Sequence, residues 1–347
     1  MTATLSAPIT SATTPTAAPS KLSATDRKLF RGTCAEVHDW MTTEDILNSI
    51  GCNFRVARHS ATVGGRPYSD CQLWLRDDTN DLLGYFGNRR QAIQPGTFIE
   101  YFRAFTEASE KQISLDVVGS LDGGKTFYMA SKLTNNITGL LDSDAGMAIS
   151  NPHRRAYIHQ EDRTDHWLIV MDFYGESLAP KAVLLANELV CTNGMARKVT
   201  DAEVKLSHLR TKSYNDVAPV LQRALEQSRA YDRIKDRLIH TPISMDTARQ
   251  ALRDFFGDPN GESKTTKRVQ QIYDHSLIGS ELDTRQGNLW RLASAVTQYT
   301  SHERIGDSPN AGARTLSSQL NGSRARTNNR FLEFLEEQFL DSAALCV

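Results

Sequence analysis

The sequence predicts an α+β fold: a curved antiparallel β-sheet with a packed helix, followed by a helical C-terminal region. Two observations carry this. Between residues 54 and 190 apolar residues alternate with polar ones or form short apolar runs, separated by Gly-, Asp- and Asn-containing turns. After about Asn215 the apolar residues recur at helical spacing almost to the end. Strands first and helices second indicate segregated rather than alternating elements.

Residues 1–25 are mostly Thr, Ala, Ser and Pro, with no charge before Lys21. Such a segment buries too little apolar surface to offset its ordering entropy, so a disordered tail is expected. A sheet domain over 26–213 and a helical region over 214–347 follow. Thr43 with Ile46, Leu47 and Ile50 marks a short helix. Phe54–His59, Cys71–Arg76 and Leu82–Phe86, with turns at Gly64-Gly65-Arg66-Pro67 and Asp77-Asp78-Thr79-Asn80, read as a three-strand meander. Pro95-Gly96-Thr97 opens a helix, with Thr97 and Glu100 at capping-box spacing and Phe98, Tyr101, Phe102 and Phe105 as its apolar stripe. Strands are expected at Ile113–Val118 and Thr126–Leu133, and a long loop over 135–164.

In the helical region, Val217, Val220, Leu221, Ala224, Leu225, Tyr231, Ile234 and Leu238 keep helical spacing until Thr241-Pro242. Ser244 caps a second helix, whose face is Ala248, Ala251, Leu252, Phe255 and Phe256, and Gly257 ends it. Leu289, Leu292, Ala293, Val296 and Tyr299 mark a later helix, and Phe331, Phe334, Leu335 and Leu340 the last.

The 347 residues suffice for two domains or one large one, and 39% hydrophobic with 23% charged residues fits a globular protein. No apolar run approaches the roughly 18 residues of a membrane span. The start of the chain resembles neither a secretory signal nor a transit peptide. Cys34, Cys52, Cys71, Cys191 and Cys346 form no CxxC pair. A cytoplasmic, reducing setting is expected. Net charge is −1 but uneven: −4 over residues 1–190, +7 over 191–330 and −4 over the last 17. A basic middle is compatible with a polyanion partner.

Core and candidate binding surface meet between Asp165 and Ser213. His166-Trp167-Leu168-Ile169-Val170-Met171 is apolar enough to be buried on both faces, and Val183–Ala186 is its neighbour. Beyond Glu188 and Val190-Cys191-Thr192-Asn193 comes a polar tail, expected to be exposed. From Ala196 to Ser213 it carries five Lys or Arg and two acidic residues.

The order of several blocks resembles a phage- and plasmid-encoded family of unknown function, the domain of unknown function 932. They are Gly119–Lys125, Gly175-Glu176-Ser177, Val190-Cys191-Thr192-Asn193, and Leu289–Thr297 leading to His302. The resemblance runs over roughly residues 45 to 340. The chain departs from the family's pattern at Glu188, where a basic residue is usual. The resemblance implies a fold and no established activity.

Gly119-Ser120-Leu121-Asp122-Gly123-Gly124-Lys125-Thr126 satisfies the phosphate-loop expression GxxxxGK[ST]. Gly119, Gly124, Lys125 and Thr126, with Asp172 as second carboxylate, are therefore the nucleotide-binding candidates of an alternative reading, a nucleotide-dependent enzyme. A phosphate loop must open a helix, whose N-terminus supplies aligned amides. The aromatic start Phe127-Tyr128 and the dipeptides Asp122-Gly123 and Gly123-Gly124 favour a hairpin instead.

His153, His159, Asp162, Asp165 and His166 crowd one stretch without metal-ligand spacing, and are expected to be solvated loop residues. Cys191 ends an apolar run with no base beside it and reads as a buried small hydrophobe. No catalytic residue, metal or cofactor is assigned. The candidate nucleic-acid contacts are Arg197, Lys198, Lys205, Arg210 and Lys212, together with Arg314, Arg324 and Arg326 near Arg330. Trp74, Tyr85 and Phe86 are candidate stacking residues if they face solvent, and core residues if they do not.

The expectation is a phage- or plasmid-type DNA-metabolism protein that binds single-stranded DNA without hydrolysing nucleotide. Fold-level analogy with phage single-strand annealing proteins points to a recombination or annealing role and to a homo-oligomer. An inhibitor that binds a host protein is the alternative from another class.

Overall fold

In the computed structural model of the protein, residues 22–340 are described except 89, 110–112, 134–161, 163, 176–179, 189–194, 199–203, 206–213 and 304–309. The architecture is α+β, with antiparallel sheets and a helix-rich C-terminal half. The elements in order are α1 (Ala24–Leu29), β1 (Cys34–Glu36), α2 (Thr43–Ser49), β2 (Val56–Val63), β3 (Arg66–Arg76), β4 (Leu82–Gly87) and α3 (Pro95–Ala108). Then come β5 (Val117–Leu121), β6 (Thr126–Lys132), β7 (Thr164–Phe173), β8 (Lys181–Glu188), β9 (Met195–Lys198) and β10 (Val204–Lys205). The helices α4 (Tyr214–His240), α5 (Met245–Phe256), α6 (Lys264–Gln271), α7 (Leu289–Gln298), α8 (Ala311–Leu320) and α9 (Ser323–Leu335) complete the chain.

The strands divide into two sheets rather than one. The meander β2-β3-β4 stands by itself, and a seven-stranded sheet runs β1-β5-β6-β7-β8, with β9 and β10 sharing the outer edge of β8. The central strand is β7, paired antiparallel to β6 on one side and β8 on the other. Its apolar run is buried on both faces, as its composition requires. Trp167, Ile169, Met171 and Phe173 pack with Leu29, Phe30, Leu316 and Leu320 from α1 and α8. Leu168 and Val170 face the larger core, with Trp74 and Phe86 of the meander, Phe98 and Phe102 of α3, and residues of the C-terminal helices. Each of these large side chains contributes about 1.5–3 kcal/mol by leaving water.

Local signals explain several boundaries. Ser244 Oγ accepts from Thr247 N at the start of α5, and Gly257 ends it at φ 62. In α3 the boundary differs from the capping-box expectation. Gln94 is the N-cap and Pro95 takes the first helical position, so Thr97 lies inside the first turn. Pro95 already provides the fixed φ and the missing N–H that a first helical residue tolerates. The expected tail over residues 1–25 is shortened at its end: Leu22 is buried, and Ser23 and Asp26 form a capping box that opens α1. Residues 1–21 lie outside the described residues. β1, α6 and α8 were not marked by the sequence pattern, and β9 and β10 occupy part of what reads as an exposed tail. No helix among the described residues is long and apolar enough to cross a membrane.

Candidate nucleic-acid interface

The phosphate-loop expression folds as strand, turn, strand. β5 and β6 pair in register from Val117↔Ala130 to Leu121↔Thr126, joined by a turn over Asp122–Gly124. Asp122, Gly123 and Gly124 have φ of 53, 71 and 94, the left-handed region that glycine enters freely and aspartate tolerates. Lys125 and Thr126 therefore lead into β6, and no helix N-terminus presents amides to a phosphate. Gly119 has a packing role: a Cβ there would meet the ring of Tyr128 and the carbonyl of Thr33. The Tyr128 hydroxyl lies 2.8 Å from Thr33 Oγ1. Gly124 lies under Phe54, and Thr126 is buried opposite Phe173. The nucleotide reading of Gly119, Gly124, Lys125, Thr126 and Asp172 is thereby corrected.

Asp172 sits in β7 with its Oδ1 accepting from the amide of Phe173 at 2.8 Å. Burial pushes its carboxyl up to about 6, although the Phe173 amide and Arg90 favour the charged form. Arg90 itself donates to the Phe173 carbonyl at 2.8 Å and lies over the rings of Phe86 and Trp74.

The stretch expected as solvated acids and histidines is instead buried wherever it is described. Asp162, Asp165 and His166 are each 2% exposed or less. Asp162 accepts from Arg285 Nε and Nη2, both at 2.9 Å, from Trp290 Nε1 at 2.9 Å, from Thr284 Oγ1 at 3.0 Å and from Lys235 Nζ at 3.3 Å. Burial opposes its charge, but Lys235 and Arg285 outweigh burial and hold the carboxyl well below the usual range. Asp165, in β7, pairs with Lys132 Nζ at 2.5 Å, and Lys132 also reaches Asp26 at 2.9 Å. His166 Nε2 lies 3.0 Å from Asp232 of α4. These charges tie β6 and β7 to the helices on either side. No cluster of three or more His, Cys, Asp or Glu that could hold a metal occurs among the described residues. His153, His159 and Cys191 lie outside them, and burial pushes the Cys34 thiol up to about 12, away from nucleophilic use.

The basic candidates divide. Arg197 and Lys198 are in β9, which pairs with β8 in the register Ala186↔Arg197 and Leu185↔Lys198. β9 also packs beside α7, α8 and α9. Lys205 is in β10, opposite Lys181. Arg314 of α8 and Arg326 of α9 are exposed, and Lys198 is half-buried. Arg210 and Lys212 lie outside the described residues. Arg324 is a correction: it is buried, and its Nη1 donates to the Thr300 carbonyl at 2.5 Å, closing the helical turn that follows α7. Its neighbours Ser323 and Arg326 face water, which is the helical alternation that a cluster count ignores. Arg330 lies over the ring of Phe255.

His302, at the end of the same turn, is held down to about 4 by burial, Arg31 and Arg324 against the pull of Glu303. Arg31 donates to the Ser301 carbonyl at 2.8 Å, so two arginines cap neighbouring carbonyls there. Sequence spacing gives no sign of this group, because Arg31 comes from the far end of the chain. Of the three aromatic candidates, Trp74 and Phe86 are buried against each other and Tyr85 is 71% exposed.

No curated protein and no solved structure matches the chain significantly. The family model described as "Domain of unknown function (DUF932)" matches residues 82–331, more than half of the chain. That span takes in β5 to β8, the Asp162 group and the helices beside β9. The chain therefore belongs to the DUF932 family.

Proposed function

We propose that this chain binds single-stranded DNA, as a phage- or plasmid-type DNA-metabolism protein, along the basic edge where β9 meets α8 and α9. One observation supports the reading. Lys198 and the exposed Arg314 and Arg326 come from segments far apart in sequence, and β9 packs directly beside the two helices that carry the arginines. Guanidinium and ammonium groups at such an edge neutralise phosphates, while the exposed hydroxyl of Ser323 at the start of α9 can add a hydrogen bond to the nucleic-acid backbone. The chemistry asks for binding only; bases remain free to pair with a second strand.

The test is fluorescence anisotropy with a labelled oligothymidylate across a salt series. Three phosphate contacts give a log-log slope of about −2 for a single strand. Arg314→Ala with Arg326→Ala should weaken binding and flatten the slope by about 1.4. A wild-type affinity that does not change with salt, or a double variant that binds like wild type, overturns the reading.

A further inference from the structure

The hairpin β2–β3 runs on past its pairing with β4 as a two-stranded arm. β4 pairs with β3 only between Cys71 and Leu75. Beyond Cys71 the ladder is two-stranded and closes at Gly64 and Gly65, with φ of 58 and 77. A register shift between Ser60 and Ala61 marks where the arm leaves the meander. Along it Arg58, His59, Ser60, Thr62, Arg66, Pro67 and Tyr68 are exposed. A two-stranded ribbon is marginal by itself in water. This one is anchored at its root by Trp74, which is buried against Phe86 and Tyr174.

Two features of the arm point to a ligand. From Arg55 to Asp70 the chain has three arginines and a histidine against one carboxylate, the exposed Asp70 at the root of the arm. Neither Arg58 nor Arg66 forms an ion pair among the described residues. Large aromatic rings also face water here: Tyr68 is 56% exposed, and Tyr85, at the root opposite Leu73, is 71% exposed. Positive charge alone is a common guard against edge-to-edge pairing of strands. Guarding does not call for exposed tyrosines, whereas a single-stranded nucleic acid uses both, phosphates on arginine and bases on aromatic faces.

We infer that the β2–β3 arm is a second contact for single-stranded nucleic acid: Tyr68 and Tyr85 stack bases, Arg66 holds the phosphate beside Tyr68, and Arg58, on the opposite face of the ribbon from Tyr85, holds one where the strand crosses its edge. The inference rests on the proposed function but uses different residues. The two surfaces lie at opposite ends of the central sheet. The meander packs where β7 ends, at Tyr174 and Gly175, and β9 pairs with the far end of β8, opposite where β7 begins. A strand touching both runs along the sheet, so a long oligonucleotide gains more from the arm than a short one.

The experiment uses the full chain and labelled oligothymidylates, one short and one long, with a duplex of the longer length. Four samples are compared: wild type, Tyr68→Ala with Tyr85→Ala, Arg58→Ala with Arg66→Ala, and Arg314→Ala with Arg326→Ala. All six positions are exposed, and circular dichroism checks that each variant is folded. Loss of the two rings is expected to weaken binding to the long single strand about fivefold or more, with little change in salt slope. Loss of the two arm arginines should flatten the slope by about 1.4. If both arm variants bind like wild type while the α8–α9 variant is weakened, the arm is overturned and the proposed function stands. Equal affinity of wild type for duplex and single strand overturns stacking on the arm. No salt-sensitive binding by wild type removes both.

Discussion

Replacing Asp162 by Asn removes one negative charge from a group in which Arg285 is 0% and Lys235 8% exposed. The asparagine keeps the volume and one carbonyl oxygen. Its amide points two donors at groups that are themselves donors, leaving two buried cations without their shared carboxylate. Breaking a buried ion pair from one side costs about 3–5 kcal/mol. Folded proteins hold roughly 5–15 kcal/mol in total, so the loss is a large share. With a urea m-value of about 3 kcal/mol/M the midpoint falls by roughly 1–1.7 M. Urea unfolding followed by tryptophan fluorescence and circular dichroism reads this, and Trp290, bonded to Asp162 at 2.9 Å, is a reporter within the group. A second chain with Asp162→Leu, Arg285→Met and Lys235→Met should recover much of the loss, because the penalty lies in the uncompensated charges of both cations. The sign with pH follows from the depressed carboxyl: its contribution is complete above the ordinary aspartate pKa and is lost as pH falls through that value toward the folded one. A midpoint that falls by less than about 0.3 M, near 1 kcal/mol, would refute the account of Asp162 as the charge that holds β7 to α4 and α7.

Asp172 has the opposite sign. Its folded value of about 6 lies above the ordinary aspartate value, so at pH 7 the native state bears a buried charge, and stability rises as pH falls from 7 toward 4. Asp172→Asn should stabilise the protein at pH 7 by up to roughly 3 kcal/mol and give no gain near pH 4; an equal gain at both, in urea titrations, would count against burial as the cause. Gly119→Val drives a side chain into Tyr128 and the Thr33 carbonyl and should cost about 1–3 kcal/mol in thermal melts; an unchanged melting temperature would mean that β1 and β5 are not as closely packed as described. The salt slopes for Arg314 with Arg326, and for Arg58 with Arg66, complete the set.

Much of this protein is written in short-range chemistry. Residues 166–171 are apolar without alternation, and β7 is buried on both faces. Ser244 and Gly257 bound α5 because a hydroxyl three residues from an amide, and a residue free to take positive φ, act within one turn. The hairpin at Asp122–Gly124 follows equally locally, against a motif that matched by expression only. What lay beyond the sequence depends on partners from distant segments. Asp162 reads as a solvated acid until Lys235, Arg285 and Trp290 converge on it, and Arg324 reads as a surface cation until the Thr300 carbonyl is brought to it. The same holds for the division of the strands into two sheets, and for β9 beside α8 and α9. Periodicity and caps are set by backbone geometry within a few residues, so composition reveals them. Whether a charge is buried, paired or offered to a ligand depends on which distant elements reach it, and only the tertiary fold decides that.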